Sequence, residues 1–223
     1  MLTHVAPDRL RFEPWVAARA ASCGFALEPE VTRHLALHAE RVLEETARLH
    51  LTSIRDPDEF LERHIGESLE GAALIPRGTI GTALDLGSGN GYPGIPVAAM
   101  HSGLKMYLTE VSLKKAAFLR SVVQQVLPDA VVLERQVQRP SDLPDLPALD
   151  TITCRALGGW ERILPRLAPK LAVEGRILLW AGAAASAVAS RGAWSGLALA
   201  DRRPLPQRER SWIFVYYKKK SAK

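Results

Sequence analysis

The sequence predicts an α/β fold: a mostly parallel, doubly wound sheet with an antiparallel C-terminal hairpin, preceded by a helical N-terminal extension. Three observations predict it. From Thr82 onward, short apolar runs alternate with helix-length segments, the pattern of βαβ units. Before Thr82 the apolar residues recur with helical period. After Trp180 two strand-like runs follow each other with only a Pro- and Arg-rich link between them.

In the N-terminal third, Leu35, Ala39, Val42, Leu43 and Leu49 mark one face of a helix between Val31 and Leu51. Asp56-Pro57-Asp58 reads as a turn and a helix start, because Asp caps free amides and Pro fits the first turn. Phe60, Leu61, Ile65, Leu69 and Ala72 then line a second amphipathic helix, closed by Pro76-Arg77-Gly78. The strands predicted next are 83–86, 104–109, 131–134, 151–154 and 176–180, with helices over 114–126 and 160–171. The hairpin pairs Leu197-Ala198-Leu199 with 212–217, across Arg202-Arg203-Pro204-Leu205-Pro206-Gln207. One compact unit is expected, with residues 1–78 as the helical extension and 79–223 as the main domain.

Composition bounds the function classes. With 223 residues, 47% hydrophobic and 24% charged, the chain has a core and is not disordered. Two cysteines, Cys23 and Cys154, cannot build a disulfide framework or a four-thiolate zinc site, so a reducing cytoplasm is expected. The first residues lack the charged-then-apolar build of a signal peptide, and the longest apolar stretch, 177–189, is too short to span a bilayer. A net charge of +5 permits a nucleic-acid partner without requiring one.

Asp85-Leu86-Gly87-Ser88-Gly89-Asn90-Gly91 follows the first buried strand. Glycines there let the backbone approach a ligand. A dinucleotide fingerprint needs Gly at position 92, which is Tyr, and no Lys-Ser or Lys-Thr pair follows to make a P-loop. The spacing instead suits S-adenosylmethionine: loop carbonyls meet its ammonium, Asp85 adds negative charge, and no pyrophosphate has to be cradled. Glu110 ends the second strand, where an acid accepts both ribose hydroxyls. Together these features predict a class I S-adenosylmethionine-dependent methyltransferase of Rossmann-like architecture.

The segment Gly87-Ser88-Gly89-Asn90-Gly91-Tyr92-Pro93-Gly94-Ile95-Pro96 resembles the loop of the glucose-inhibited division protein B family, bacterial methyltransferases acting on N7 of a guanine in small-subunit ribosomal RNA. Leu51-Thr52-Ser53-Ile54-Arg55-Asp56-Pro57, Arg63-His64-Ile65, Lys114-Lys115, Phe118-Leu119-Arg120 and Cys154-Arg155-Ala156 extend the likeness in order. The resemblance implies cofactor contacts at Gly87, Tyr92, Gln136, Val137 and Arg155, with Ser88, Gly89 and Glu110 from the turn and strand end. It implies active arginines at Arg135, Arg155 and Arg210, and a ribosomal RNA or small-subunit partner; a monomer is expected. His50 stands where the family carries Asn, and Ala181 where it carries Lys. His50 is a candidate donor to the base in place of that amide.

Other constellations give competing readings. Cys154 invites a cytosine-C5 methyltransferase with a thiolate nucleophile, but no Pro-Cys pair or second functional cysteine accompanies it. His34 and His38 lie one helical turn apart without a third metal ligand in view. A non-catalytic RNA-binding scaffold is the third reading.

Overall fold

The computed structural model describes residues 9–190, 193–206 and 209–219. Gln207 of the hairpin link and Lys220 of the basic tail lie outside the described residues. Helices α1 (Arg9–Ser22) and α2 (Pro29–Leu49) come first. α2 starts on Pro29 and buries Leu35, Ala36, His38, Ala39 and Val42 along one stripe. It ends at His50, whose backbone is left-handed (φ 50°) and donates its N–H to the Thr46 carbonyl.

The second predicted helix forms with an interruption. Asp56 caps α3 (Pro57–Phe60), its carboxylate accepting the Glu59 N–H at 2.8 Å. The chain then widens into a π-helical turn, Leu61–Gly66, before α4 (Glu67–Ala72). A strict 3.6-residue reading misses this turn, which buries His64 and Gly66 beside the expected Leu61 and Ile65.

The alternating half follows as β1 (Gly81–Leu86), α5 (Gly94–Met100), β2 (Leu104–Thr109), α6 (Leu113–Val126), β3 (Val131–Leu133), β4 (Leu149–Arg155), α7 (Trp160–Leu167) and β5 (Leu171–Ala181). A short helix α8 (Ala183–Ala189) and strands β6 (Ala193–Trp194), β7 (Leu197–Pro204) and β8 (Trp212–Lys218) complete it. The eight strands form one sheet in the order β3-β2-β1-β4-β5-β8-β7-β6. The first five run parallel, and β8, β7 and β6 are antiparallel to their neighbours. β7 reaches further than predicted: Arg202, Arg203 and Pro204 pair with β8 past a register shift at Leu199/Asp201.

Strand alternation divides the core into two layers. Met106, Leu108, Leu178, Trp180 and Ile213 face the layer built by α1, α2, α5, α6 and the 57–72 helices. Leu84, Leu86, Ile152, Ile177, Leu179 and Phe214 face the layer of α7 and α8. The N-terminal helices therefore share an apolar core with one face of the sheet. Among the described residues, no helix is long and apolar enough to cross a membrane.

Candidate active site

The parallel register brings the carboxyl ends of β1, β2 and β4 to one edge, with Asp85 opposite both Leu108 and Thr153. There the chain turns through Gly87, Gly89 and Gly91 at φ 67°, 55° and 93°, a left-handed region that side chains rarely adopt. Neighbouring elements hold the turn. Gly87 N–H donates to the Thr109 hydroxyl at 3.1 Å and Ser88 N–H to the Thr109 carbonyl at 2.8 Å. Glu110 accepts the Gly89 N–H at 3.0 Å on one oxygen and the Ser112 N–H at 2.8 Å on the other. Each oxygen keeps a second lone pair for a ligand hydroxyl.

A cleft of about 420 Å³ opens at this edge. Of the residues expected there, Gly87, Glu110, Gln136, Val137 and Arg135 line it. A side chain at Gly87 would strike Leu157 at 2.9 Å, whereas one at Gly89 would make only ordinary contact with the Gly87 carbonyl oxygen at 3.8 Å. The glycine backbone, the strand-end carboxylate and the 136–137 segment thus surround a volume fit for a nucleoside with a short polar tail.

The remaining candidates stand elsewhere. The Ser88 hydroxyl donates to the Asp85 carbonyl at 3.1 Å inside the turn. Tyr92 is buried away from the cleft, its ring stacked on His38 at 4.3 Å and lying 5.0 Å from His64. His50 and Arg210 are exposed, both with left-handed backbones.

Arg155 lines a second cavity of about 410 Å³, with Thr52, His64, Glu67 and Trp180. Its guanidinium pairs with Glu67 at 3.0 Å and donates to the Arg63 carbonyl at 2.6 Å. Ala181 lines the same cavity. Ala156 lines both cavities and holds a left-handed backbone at φ 53°, strain of the kind that gathers at functional sites.

Behind the glycine turn lies a buried polar layer. His38 Nε2 donates to the Asn90 carbonyl at 2.7 Å, and burial holds this imidazole down to about 4. Burial, with the Arg155 charge second, keeps His64 neutral well below the ordinary histidine range. Asp85 accepts the Thr153 hydroxyl at 2.6 Å, and burial pushes its carboxyl up to about 6.

Residue-level reading missed the wall opposite Glu110: Leu157, Gly158 and Gly159 after β4, and Arg162 and Arg166 on α7. Gly158-Gly159 beyond a strand's carboxyl end was the available signal. Glu67, on a helix that reads as core, carried none. Cys154 lines neither cavity; it is fully buried in the α7–α8 layer, and burial pushes its thiol far up. It therefore holds no thiolate, and nothing favours the cytosine reading. His34 lies near Glu30 at 3.8 Å while His38 turns inward, so the pair does not converge on a metal.

Strand order, glycine turn and strand-end acid define an S-adenosylmethionine-dependent methyltransferase of class I. The fold is similar to that of the fibrillarin/Nop5p complex (TM-score 0.55, 17% identity, 65% of this chain and 75% of that one) and of an rRNA methylase from Streptococcus thermophilus (TM-score 0.54, 15%, 71% and 98%). A family model, GidB, rRNA small subunit methyltransferase G, matches residues 32–191, and the chain belongs to that family. Curated relatives called ribosomal RNA small subunit methyltransferase G agree. The one from Sorangium cellulosum is 32% identical over 180 residues, covering 80% of this chain and 75% of that protein. The one from Anaeromyxobacter sp. strain Fw109-5 is 34% identical over 184 residues, covering 81% and 84%.

Proposed function

We propose that this protein methylates N7 of a guanine in 16S ribosomal RNA, with the cofactor in the cleft beside Glu110 and the target base in the cavity beside Arg155. The observation that carries this division is that the two cavities meet at Ala156. Bound S-adenosylmethionine supplies a methyl already activated by its sulfonium. The chain's own residues do the holding. Glu110 accepts the ribose hydroxyls, Gly87 lets the backbone approach, and Gln136 and Val137 flank the nucleoside. Ser88, Gly89 and Tyr92 act indirectly, by shaping and backing the turn.

Guanine N7 carries a free lone pair, so no residue has to remove a proton. The protein's task is to align nitrogen, methyl and sulfur, and positioning of that kind supplies roughly 7–11 kcal/mol of barrier reduction. Glu67 fixes the Arg155 guanidinium at the wall of the second cavity, and a planar donor there suits guanine O6 or a phosphate. Arg135 takes RNA at the cleft. His50 stands exposed one residue before the 51–54 segment, part of which walls the second cavity, and meets RNA at its rim together with Arg210, the exposed neighbour of Ser211 in the same wall. Ala181 leaves that wall aliphatic where the resemblance implies a lysine.

The helices of 1–78 and the domain of 79–223 act as one compact unit, monomeric and cytoplasmic. A purely RNA-binding scaffold is disfavoured by the intact Gly87–Glu110 arrangement. The test is incubation of small subunits and naked 16S RNA with methyl-labelled cofactor, followed by mapping of the labelled nucleotide. One N7-methylguanine is expected. Label on cytosine C5, or no label on either substrate, overturns the proposal.

A further inference from the structure

The cofactor cleft is lined by three guanidiniums, Arg135, Arg162 and Arg166, against one carboxylate, Glu110. Arg162 and Arg166 are four residues apart on α7, so they share a helix face, and all three are exposed. Their charges are poorly neutralised. Arg135 donates to the Asp142 carbonyl at 3.2 Å, a neutral partner, while the Asp142 carboxylate is engaged by Arg139 and the Gln138 N–H. Arg162 has Glu161 only at 3.9 Å, and among the described residues no carboxylate lies within ion-pair distance of Arg166.

Such a wall conflicts with the ligand beside it. S-adenosylmethionine carries a sulfonium, an ammonium and a carboxylate, a net charge of about +1 at neutral pH. Methyl transfer moves the positive charge from sulfur to the methylated base, and the thioether product left in the cleft is one charge poorer. Surplus arginines therefore favour product over cofactor until an anion joins them.

We propose that Arg135, Arg162 and Arg166 form a phosphate site on the cofactor cleft, filled by a phosphodiester of the RNA substrate, and that its filling raises affinity for the cationic cofactor relative to the product. This rests on the cofactor placement proposed above. RNA and cofactor then bind cooperatively, and departure of methylated RNA restores the preference for the spent thioether. At a separation on the order of one Debye length in well-solvated surroundings, each guanidinium changes affinity for a unit charge by somewhat under about twofold.

Calorimetry on the intact protein tests this, with S-adenosylmethionine and S-adenosylhomocysteine titrated into wild type and an Arg162→Gln/Arg166→Gln variant. Both arginines are exposed, and matching melting midpoints verify folding. At low salt, about 50 mM, the cofactor-to-product Kd ratio should fall about threefold in the variant. A short guanine-containing RNA should produce the same fall in wild type, whereas inorganic phosphate at equal ionic strength should not. The variant's RNA affinity should also lose about one unit of salt slope, the share of one phosphate contact. An unchanged ratio or slope overturns the phosphate site, and an equal effect of inorganic phosphate overturns its assignment to RNA. Absence of binding by both small molecules sinks the cofactor placement itself, a result distinct from intact binding with an unchanged ratio.

Discussion

Arg155 and Glu67 form the most consequential side-chain pair, because both are nearly buried, at 13% and 5% side-chain exposure. Truncating one strands the other's charge. Arg155→Ala should therefore cost about 3–5 kcal/mol of stability, and adding Glu67→Gln should restore most of it. Urea denaturation reads the difference; equal stability of the single and double variants contradicts the pairing. Turnover by the double variant then reports on Arg155 apart from folding. His38 gives a pH prediction with a definite sign. Its folded-state value, about 4, lies below the ordinary 6.5, so the unfolded chain takes the proton first and stability falls as pH drops through that window. At pH 5 the loss is about 2 kcal/mol. Asp85 works oppositely: raised to about 6 from 3.8, it stabilises the fold as pH falls from about 6 towards 4. His64 is shifted the same way as His38, so acidification should be a net loss. His38→Phe keeps an aromatic ring on Tyr92 and should flatten the melting midpoint between pH 7.5 and 5, and an unchanged slope contradicts this.

At the scale of elements, the close approach of α4 to β5 depends on Gly71. A side-chain carbon there would lie 2.0 Å from Trp180 Cζ2, and the indole is pinned by its Nε1–H to the Glu67 carbonyl at 2.9 Å. Gly71→Ala should lower stability by about 1–3 kcal/mol or more and shift the tryptophan fluorescence; a wild-type melt refutes the packing. This contact also shows what a single sequence withholds. Short apolar runs and the glycine turn made the strands, their order of appearance and the hairpin legible, because run length and positive φ are local demands. The π-helical turn at Leu61–Gly66 and the length of β5 were not legible, since tertiary packing overrides local period there. The cofactor cleft was read from its glycines and Glu110, both tied to strand ends. The second cavity draws on Thr52, His64, Glu67 and Trp180, residues far apart in sequence that only the fold brings together.

For the whole molecule, the sheet separates two layers and presents one working edge. The N-terminal helices cover the face that carries Trp180 and Ile213, and α7 with α8 covers the other. The glycine turn, Glu110 and Arg155 all emerge at the carboxyl edge between them. Because His38 on α2 reaches the Asn90 carbonyl and Arg63 receives Arg155, the helical extension props both cavities. The most direct measurement is a crystal structure of the protein soaked with S-adenosylmethionine. The ribose hydroxyls should lie within hydrogen-bond reach of the Glu110 carboxylate, the methionine portion along Gly87, and the sulfonium methyl pointing past Ala156 towards Arg155. Cofactor density in the Arg155 cavity, or in the cleft without contact to Glu110, would contradict the account.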